Sequence, residues 1–431
     1  MFKRKFMQTL LEWKNSKGKK PLLVKGARQI GKTFIIREFG KQNYENVIEL
    51  NFFKYAGHCK VFEGSLDPQK IYQEISLLGL GELKAGKTLL FFDEIQDCGD
   101  ARTAFKFLAE DNKFDIIASG SMLGIAYKQT RSIPVGYESQ IEMFSMDFEE
   151  FLWAHGFNDE KINIYRSYFE NKTKIEPFFN DRMFELLREY MIIGGMPAVV
   201  NKFLETNNFG EVHKTQIEII DSYLDDIAKY APTAEKPKAR NCYLSLPKQL
   251  AKENKKFQFS VVEKKGTARK FDNSIEWLRD AGLIKLCNNV ATPTFPLVAY
   301  TQAGYYKVYA SDIGILNAMY GFEIKKAIYD NTLKGAMKGG IYENLIADIL
   351  LKKNLPLYYY KPAENKQEIE FLYTQESNII PLEVKSGNSA TRSLDEFIKE
   401  FNPPYVLKFI TGNIGQTGTK ITLPLYMAMF L

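Results

Sequence analysis

Residues 21–33, PLLVKGARQIGKT, constrain the fold more than any other stretch of the chain. The apolar run 22–24 predicts a buried parallel strand, and residues 34–39 continue with a helical pattern. Between them, Gly26, four further residues and then Gly31-Lys32-Thr33 have the spacing of a phosphate-binding loop. A strand, such a loop and a helix in this order predict a nucleotide site.

The residue types in this loop predict how it would bind a nucleotide. Backbone N–H groups would turn toward the phosphates, and the helix N-terminus would add its partial positive charge. Lys32 would contact the terminal phosphates, and the Thr33 hydroxyl would hold Mg²⁺. The backbone groups come from Gly26, Ala27, Arg28, Gln29, Ile30 and Gly31. The loop alone does not distinguish ATP from GTP.

A second acidic stretch completes the predicted site. Four apolar residues, 89–92, are followed by Asp93 and Glu94. Asp93 would coordinate Mg²⁺, directly or through water, and Glu94 can act as the general base that polarises the attacking water. The next strand pattern ends at Ser119 and Ser121, which are candidates for sensing the terminal phosphate or orienting the water. A simple Ser-Gly-Ser turn explains either serine equally well. Lys32, Asp93 and Glu94 are the expected catalytic residues.

The pattern of the first 235 residues predicts an α/β domain with an added helical part. Residues 1–145 are expected to form a twisted parallel sheet with helices on both faces and the ligand at the carboxyl ends of the strands. Residues 138–144 alternate and add a fifth strand. Residues 146–235 follow a helical period, broken at 194–197, and we expect them to form a lid against the nucleotide domain.

Positive charge is concentrated in residues 236–270. This segment has eleven Lys or Arg and two Glu, a net charge of +9, whereas the whole chain carries +6. Residues 236–327 have the pattern of a winged helix-turn-helix module, in which Thr267 would cap a helix carrying Arg269 and Lys270 toward DNA. The competing interpretation is a solvated lysine-rich surface. Under the first interpretation, duplex DNA is an expected partner of this segment.

Residues 328–431 contain a second group of charged side chains. Glu343 lies in a helical pattern, Glu370 in an alternating strand, and Glu383 and Lys385 on one face of the next strand. Carboxylates can hold Mg²⁺ while a lysine stabilises charge on a phosphodiester, so these residues predict metal-dependent cleavage of DNA. The competing interpretation is charge pairing across strands. The nuclease hypothesis predicts plasmid nicking that Lys385→Ala abolishes, and nicking that persists in this variant would contradict it.

Composition excludes several other classes of protein. The four cysteines and three histidines are scattered along the chain, which argues against a disulfide framework, a zinc site and histidine-based catalysis. No apolar run approaches the length of a membrane span, and polar residues interrupt any signal-peptide core near the N-terminus. We therefore expect a cytoplasmic protein with no membrane partner.

Taken together, six motifs occur in an order that resembles a large prokaryotic family of AAA-type ATP-binding proteins with a C-terminal domain of unknown function. The resemblance covers essentially the whole chain. It implies ATP rather than GTP, and a C-terminal part like a PD-(D/E)XK nuclease, a small α/β restriction-endonuclease-like domain, at 328–431. The motifs are residues 26–33, 92–96, 119–121, 146–152, 194–197 and 383–385.

Two departures from the family pattern matter. The family has an aspartate where this chain has Glu370, whose extra methylene would displace the carboxylate and weaken a Mg²⁺ site. The family also has Gly-Arg where this chain has Gly136-Tyr137, so a finger arginine is either absent or provided by Arg131. Such a finger would act at a neighbour's nucleotide, which makes a homo-oligomer an expected partner.

The sequence thus predicts Mg²⁺-dependent ATP binding and slow ATP hydrolysis that drives a conformational switch. The switch would be coupled to the winged-helix and nuclease-like parts, with a further protein as an unidentified partner. The alternatives are a DNA-binding protein regulated by nucleotide and a metal-dependent nuclease with a weakened active site.

Overall fold

The computed structural model describes residues 2–120, 134, 136–362, 368–387 and 392–431. Ser121 and Arg131, two of the residues singled out above, lie outside this described part. None of the described helices combines the length and the apolar character that a membrane span requires.

A five-stranded parallel sheet with flanking helices forms the N-terminal domain, which confirms the predicted α/β class. The sheet order is β2-β3-β4-β1-β5, and every pairing within it is parallel. The elements are α1 (Phe6–Asn15), β1 (Leu22–Lys25), α2 (Lys32–Asn43), β2 (Asn46–Asn51), α3 (Pro68–Leu77), β3 (Thr88–Asp93), α4 (Gly99–Thr103), α5 (Phe105–Asp111), β4 (Asp115–Gly120) and β5 (Ser139–Glu142). All six residues of β3 are buried, as expected for a strand covered on both faces.

Helices alone make up the region between residues 148 and 230, as the helical period indicated. Asp147 begins the first of them with a capping box, in which its side chain and that of Glu150 bond each other's backbone N–H groups. The helices are α6 (Phe148–Ala154), α7 (Asp159–Asn171), α8 (Pro177–Ile193), α9 (Pro197–Thr206) and α10 (Phe209–Tyr230).

The remainder of the chain builds one eight-stranded mixed sheet with helices around it. Its order is β12-β13-β11-β10-β9-β8-β6-β7. The elements are α11 (Lys236–Leu244), α12 (Leu246–Leu250), α13 (Phe259–Val262), α14 (Ala268–Asp280), β6 (Ile284–Val290), β7 (Thr301–Ala310), α15 (Ile313–Met319), α16 (Phe322–Tyr329), α17 (Gly335–Lys352), β8 (Tyr358–Tyr360), β9 (Ile369–Gln375), β10 (Asn378–Val384), α18 (Arg392–Phe401), β11 (Val406–Ile410), β12 (Gly415–Thr417) and β13 (Lys420–Pro424).

This sheet differs from the two separate C-terminal modules that the sequence suggested. Helices α11–α14 and the antiparallel pair β6–β7 follow the order of a winged-helix module, but β6 also pairs in parallel with β8. The sheet therefore crosses the boundary expected between residues 327 and 328. The physical reason is edge pairing: β6 satisfies the backbone groups of β8, which would otherwise form an open edge. The winged-helix interpretation remains a prediction.

Asp312 joins three parts of the chain at one buried point. Its carboxylate caps α15 by accepting the N–H groups of Gly314 and Ile315, at 3.0 and 3.2 Å. The same carboxylate accepts the Ser145 hydroxyl and the Gly195 N–H, both at 2.8 Å. One side chain thereby joins the segment after β5, the turn between α8 and α9, and the start of α15.

Close backbone packing explains the glycine pair between α8 and α9. The N–H of Met146 donates to the Gly195 carbonyl at 2.7 Å, and a Cβ built at Gly195 would collide with the Met146 carbonyl. At Gly194, φ is 78° and a Cβ would strike the Asp312 carboxylate. The break at 194–197 is thus the place where the helical region 148–230 packs against Met146 and the start of α15.

Candidate functional site

The loop between β1 and α2 has the backbone shape that its sequence predicted. Gln29 and Gly31 both have positive φ angles, 63° and 94°, and α2 begins immediately afterwards at Lys32. A Cβ at Gly26 would collide with the Met143 carbonyl, so only glycine fits where β1 ends. The loop therefore turns tightly onto a helix N-terminus, the arrangement that favours an anion.

Lys32 is buried inside this loop. Its ammonium donates to the carbonyl oxygens of Gly26 at 2.9 Å and Ala27 at 2.6 Å, and the residue is only 7% exposed. Burial lowers the pKa of Lys32 to about 8, against the opposing charges of Glu94 and Asp93. The side chain thus remains mainly charged at neutral pH, next to two carboxylates.

Asp93 is the acceptor at the centre of the site. Its carboxylate accepts the Thr33 hydroxyl at 3.0 and 3.2 Å, the Asn51 amide at 2.9 Å and the Ser119 hydroxyl. Burial raises the pKa of Asp93, while the bonds from Ser119 and Thr33 lower it. Thr33 and Asp93, predicted from separate motifs, are in direct contact, and their hard oxygen atoms suit Mg²⁺.

Glu94 leaves the strand in an unusual conformation. Its φ and ψ are 56° and 49°, in the left-handed region that residues other than glycine adopt rarely. The side chain is half-buried, and the Gln96 amide donates to its carboxylate. Backbone strain of this kind is concentrated at functional sites. Glu94 therefore lies next to Asp93, and among the described residues no hydrogen bond joins its carboxylate to Asp93, Thr33 or Lys32.

The structure places some functional candidates differently from the sequence analysis. Ser119 is 1% exposed and donates to Asp93, so it supports that carboxylate rather than facing an open site. Ser121 and Arg131 lie outside the described residues. The sequence motifs did not single out Asn51 or Gln96. Asn51 is the last residue of β2, which pairs with β3, and this position beside Asp93 is the signal that could have found it.

Helices α9 and α10 and the segment after α14 contact the loop. The Tyr223 hydroxyl of α10 donates to the Arg28 carbonyl at 3.2 Å, and Pro197 of α9 packs beside Gly31. Gly282, which follows α14, packs against the backbone of Ala27. Helices α9 and α10 and the segment that follows α14 therefore all contact the loop, at Ala27, Arg28 and Gly31.

The four residues of the predicted nuclease-like site come together in the C-terminal region. The Lys385 ammonium lies 2.9 Å from Glu370 Oε1 and 3.1 Å from Glu383 Oε1. Burial raises the pKa of Glu370 to about 7, against the opposing charge of Lys385, with Glu343 and Glu383 adding to the rise. One oxygen of Glu370 and one of Glu383 is buried without a hydrogen-bond partner.

Lysines surround the remaining carboxylates of this cluster. Glu343 contacts Lys255 at 2.7 Å and Lys307 at 3.2 Å, and Lys307 also contacts Glu368 at 2.5 Å. Across the ranges that the structure describes, no three His, Cys, Asp or Glu side chains form a group that could hold a metal ion. The residues as placed fit charge pairing across elements better than a Mg²⁺ site. The nuclease activity remains a prediction.

The basic segment is partly neutralised in the folded protein. Lys238 pairs with Glu235 at 2.8 Å, and Lys270 pairs with Glu263 at 2.6 Å, while Lys255 is buried against Glu343. Arg269 is exposed at the start of α14. Thr267 occupies the expected N-cap position, but its side chain makes no capping bond. The segment therefore offers less charge to DNA than its net charge suggests.

Three regions of the chain match known families. Residues 18–152 match a family described as an AAA domain. Residues 184–326 and 338–426 match two families described as domains of unknown function, DUF8612 and DUF4143 respectively.

Comparison with individual proteins finds a distant sequence match and limited similarity to solved structures. An uncharacterized protein of Methanocaldococcus jannaschii is 24% identical over 385 residues, which cover 86% of this chain and 79% of that protein. A Walker-type ATPase of Pyrococcus abyssi is 17% identical, with a TM-score of 0.42, and the match covers 74% of this chain and 96% of that one. DnaA of Aquifex aeolicus, solved with AMPPCP, is 14% identical, with a TM-score of 0.27 and coverage of 63% and 86%.

Proposed function

Since the chain is an AAA-type P-loop protein with a C-terminal domain of unknown function, we propose that it binds Mg-ATP and hydrolyses it slowly. The observation that carries this proposal is the contact of Thr33 with Asp93, at 3.0 Å, beside the buried ammonium of Lys32. Two motifs sixty residues apart thus supply the oxygen ligands and the cation at one point.

Each residue would have a separate task. Thr33 and Asp93 would hold Mg²⁺, which, when bound, neutralises negative charge on the phosphates. Lys32 would place its ammonium against the terminal phosphates. Asn51 and Ser119 keep the Asp93 carboxylate in one orientation. Glu94, oriented by Gln96, would accept the proton of the attacking water.

We further propose that the nucleotide changes the position of the lid. The supporting observations are the contacts of Tyr223 and Pro197 with the loop and of Gly282 with Ala27. Because of these contacts, a movement of the loop would also move the lid and the segment that follows α14. Asp312 would transmit such a movement, because it bonds to Ser145 and Gly195 as well as to its own helix.

Steady-state Mg-ATP hydrolysis by wild type and Glu94→Gln tests the enzymatic part. We expect turnover to fall by about a hundredfold or more in the variant, because general base catalysis contributes about 10² to 10⁴ in rate. ATP binding, measured by calorimetry, should persist. Glu205→Gln, on the exposed surface of α9, is the matched control. Equal turnover in wild type and Glu94→Gln would contradict the assignment of the base.

A second candidate function is nucleotide-regulated DNA binding. The observation that favours it is the exposed Arg269 at the start of α14, in a segment with a net charge of +9. The same assay with duplex DNA added tests this candidate: hydrolysis stimulated by DNA, with a stimulation that falls steeply as salt rises, would support it. An effect of DNA that ignores both salt and Arg269→Glu would exclude this surface.

A further inference from the structure

Arg28 is the one loop residue whose side chain is bound by the lid in several ways. Its Nε lies 3.0 Å from Asp226 Oδ2, and one terminal nitrogen donates to the Tyr230 hydroxyl at 3.2 Å. The guanidinium also lies 5.5 Å from the centre of the Tyr230 ring. Asp226 and Tyr230 are one helical turn apart on α10, so both side chains contact the guanidinium from the same face of the helix.

The same guanidinium belongs to the charged surroundings of the phosphate-binding loop. The positive charge of Arg28 helps to lower the pKa of Lys32, after the larger effect of burial. Burial raises the pKa of Asp226 to about 6, Arg28 opposes this rise, and Glu94 adds to it. The Arg28–Asp226 pair therefore lies close to both Lys32, the proposed phosphate ligand, and Glu94, the proposed general base.

We propose that the Arg28 guanidinium contacts the terminal phosphate of a bound nucleoside triphosphate, and that Asp226 and Tyr230 orient it for this contact. The inference rests on the proposed function and adds to it a triphosphate-sensing residue within the same chain. A guanidinium suits this task because its planar set of donors matches the oxygens of a phosphate group. An arginine supplied from the same chain is a known way to stabilise charge during phosphoryl transfer.

This arrangement makes the lid sensitive to the number of phosphates. A diphosphate lacks the group that Arg28 would contact, whereas Lys32 and the loop backbone bind both nucleotides. Because Asp226 and Tyr230 hold the same guanidinium, the contact ties α10 to the triphosphate. Tyr223 of α10 in turn packs edge-on against Tyr243 of α11, with ring centres 6.4 Å apart. A movement of Arg28 and α10 would thus be transmitted to α11 through the contact between these two aromatic rings.

Calorimetric binding of Mg-ATP and Mg-ADP to the full chain tests the inference. We expect Arg28→Ala to weaken ATP binding about tenfold or more, the worth of a hydrogen bond to a charged group, while ADP binding changes by less than about twofold. Arg28→Lys should recover part of the ATP affinity, because it keeps the charge but not the planar donors. Asp226→Asn should lower the preference for ATP over ADP by a smaller factor.

Two further variants separate phosphate recognition from misfolding. Arg182→Ala, which removes an exposed arginine paired with Glu185, should leave both affinities unchanged. The double variant Arg28→Ala/Asp226→Asn removes the carboxylate that Arg28→Ala leaves unpaired, and it should retain the selective loss of ATP binding. Recovery of ATP affinity in the double variant would overturn the inference, because the loss would then come from the unpaired Asp226.

The remaining outcomes are also decisive. Equal losses for ATP and ADP in Arg28→Ala would overturn the terminal-phosphate contact and leave the proposed ATPase function intact. An unchanged preference for ATP in Asp226→Asn would overturn the orienting role of Asp226. If wild type binds neither nucleotide, the proposed function itself fails.

Discussion

Lys32→Ala is expected to weaken the binding of Mg-ATP by about tenfold to a hundredfold, the range for a lost hydrogen bond to a charged group. The variant loses the only loop side chain that is both buried and cationic among the described loop residues, and it leaves the Gly26 and Ala27 carbonyls without their donor. Binding is measured by calorimetry, with thermal unfolding as the check on the fold.

A matched control for this variant is available on the same helix. Lys41 lies near the end of α2, where it is exposed and pairs with Glu38 three residues away. Lys41→Ala should leave the affinity for Mg-ATP unchanged, because surface pairs of this kind contribute little. An ATP affinity in Lys32→Ala equal to that of wild type would refute the nucleotide site.

Lys307→Ala is expected to lower the free energy of unfolding by about 3–5 kcal/mol, the range for breaking a buried ion pair. Lys307 is fully buried in β7 and contacts both Glu343 and Glu368, at 3.2 and 2.5 Å. Its removal would leave two largely buried carboxylates with less positive charge around them. Chemical denaturation measures the change, and Lys326→Ala, at an exposed position on α16, should cost less than about 0.5 kcal/mol.

The deficit of Lys307→Ala should also depend on pH. Burial alone would raise the pKa of Glu368, but Lys307 and Lys361 lower it to about 2. In wild type this pairing stabilises the fold above the ordinary pKa of a glutamate and is lost as the pH falls toward 2. The difference between wild type and Lys307→Ala should therefore shrink below about pH 4.5, where the carboxylates of the unfolded chain take up protons. A deficit that is constant between pH 3 and 8 would contradict this electrostatic account.

The candidate nucleotide site is the part of the structure that local sequence patterns indicate most directly. Its residues lie in short stretches, where a strand, a loop and a helix start follow one another within thirteen residues, 21–33. Asp93 and Glu94 could be predicted for the same reason, because they directly follow a wholly apolar run. The parallel sheet then brings Asp93 to Thr33 at the shared carboxyl ends of the strands.

The remaining contacts depend on pairings between distant segments, which no local pattern encodes. Arg28 and Tyr230 are 202 positions apart, and their contact depends on how α10 packs over the loop. Lys307 lies in β7 within a run of five buried residues, 306–310, although its charge alone would suggest a solvent-facing position. Its buried ammonium pairs with Glu343 of α17 and with Glu368, the residue immediately before β9. A prediction from sequence period cannot anticipate such a pairing.

The parallel pairing of β6 with β8 has a consequence for how this chain is inherited. Strand β6 belongs to the region matched at 184–326, and β8 belongs to the region matched at 338–426. A gene fragment that ended between these regions would encode β6 with one side unpaired, and unpaired strands invite association with other chains. Recombination that exchanged one region without the other would replace one of these two paired strands. An exchange is therefore compatible with this sheet only where both regions move together.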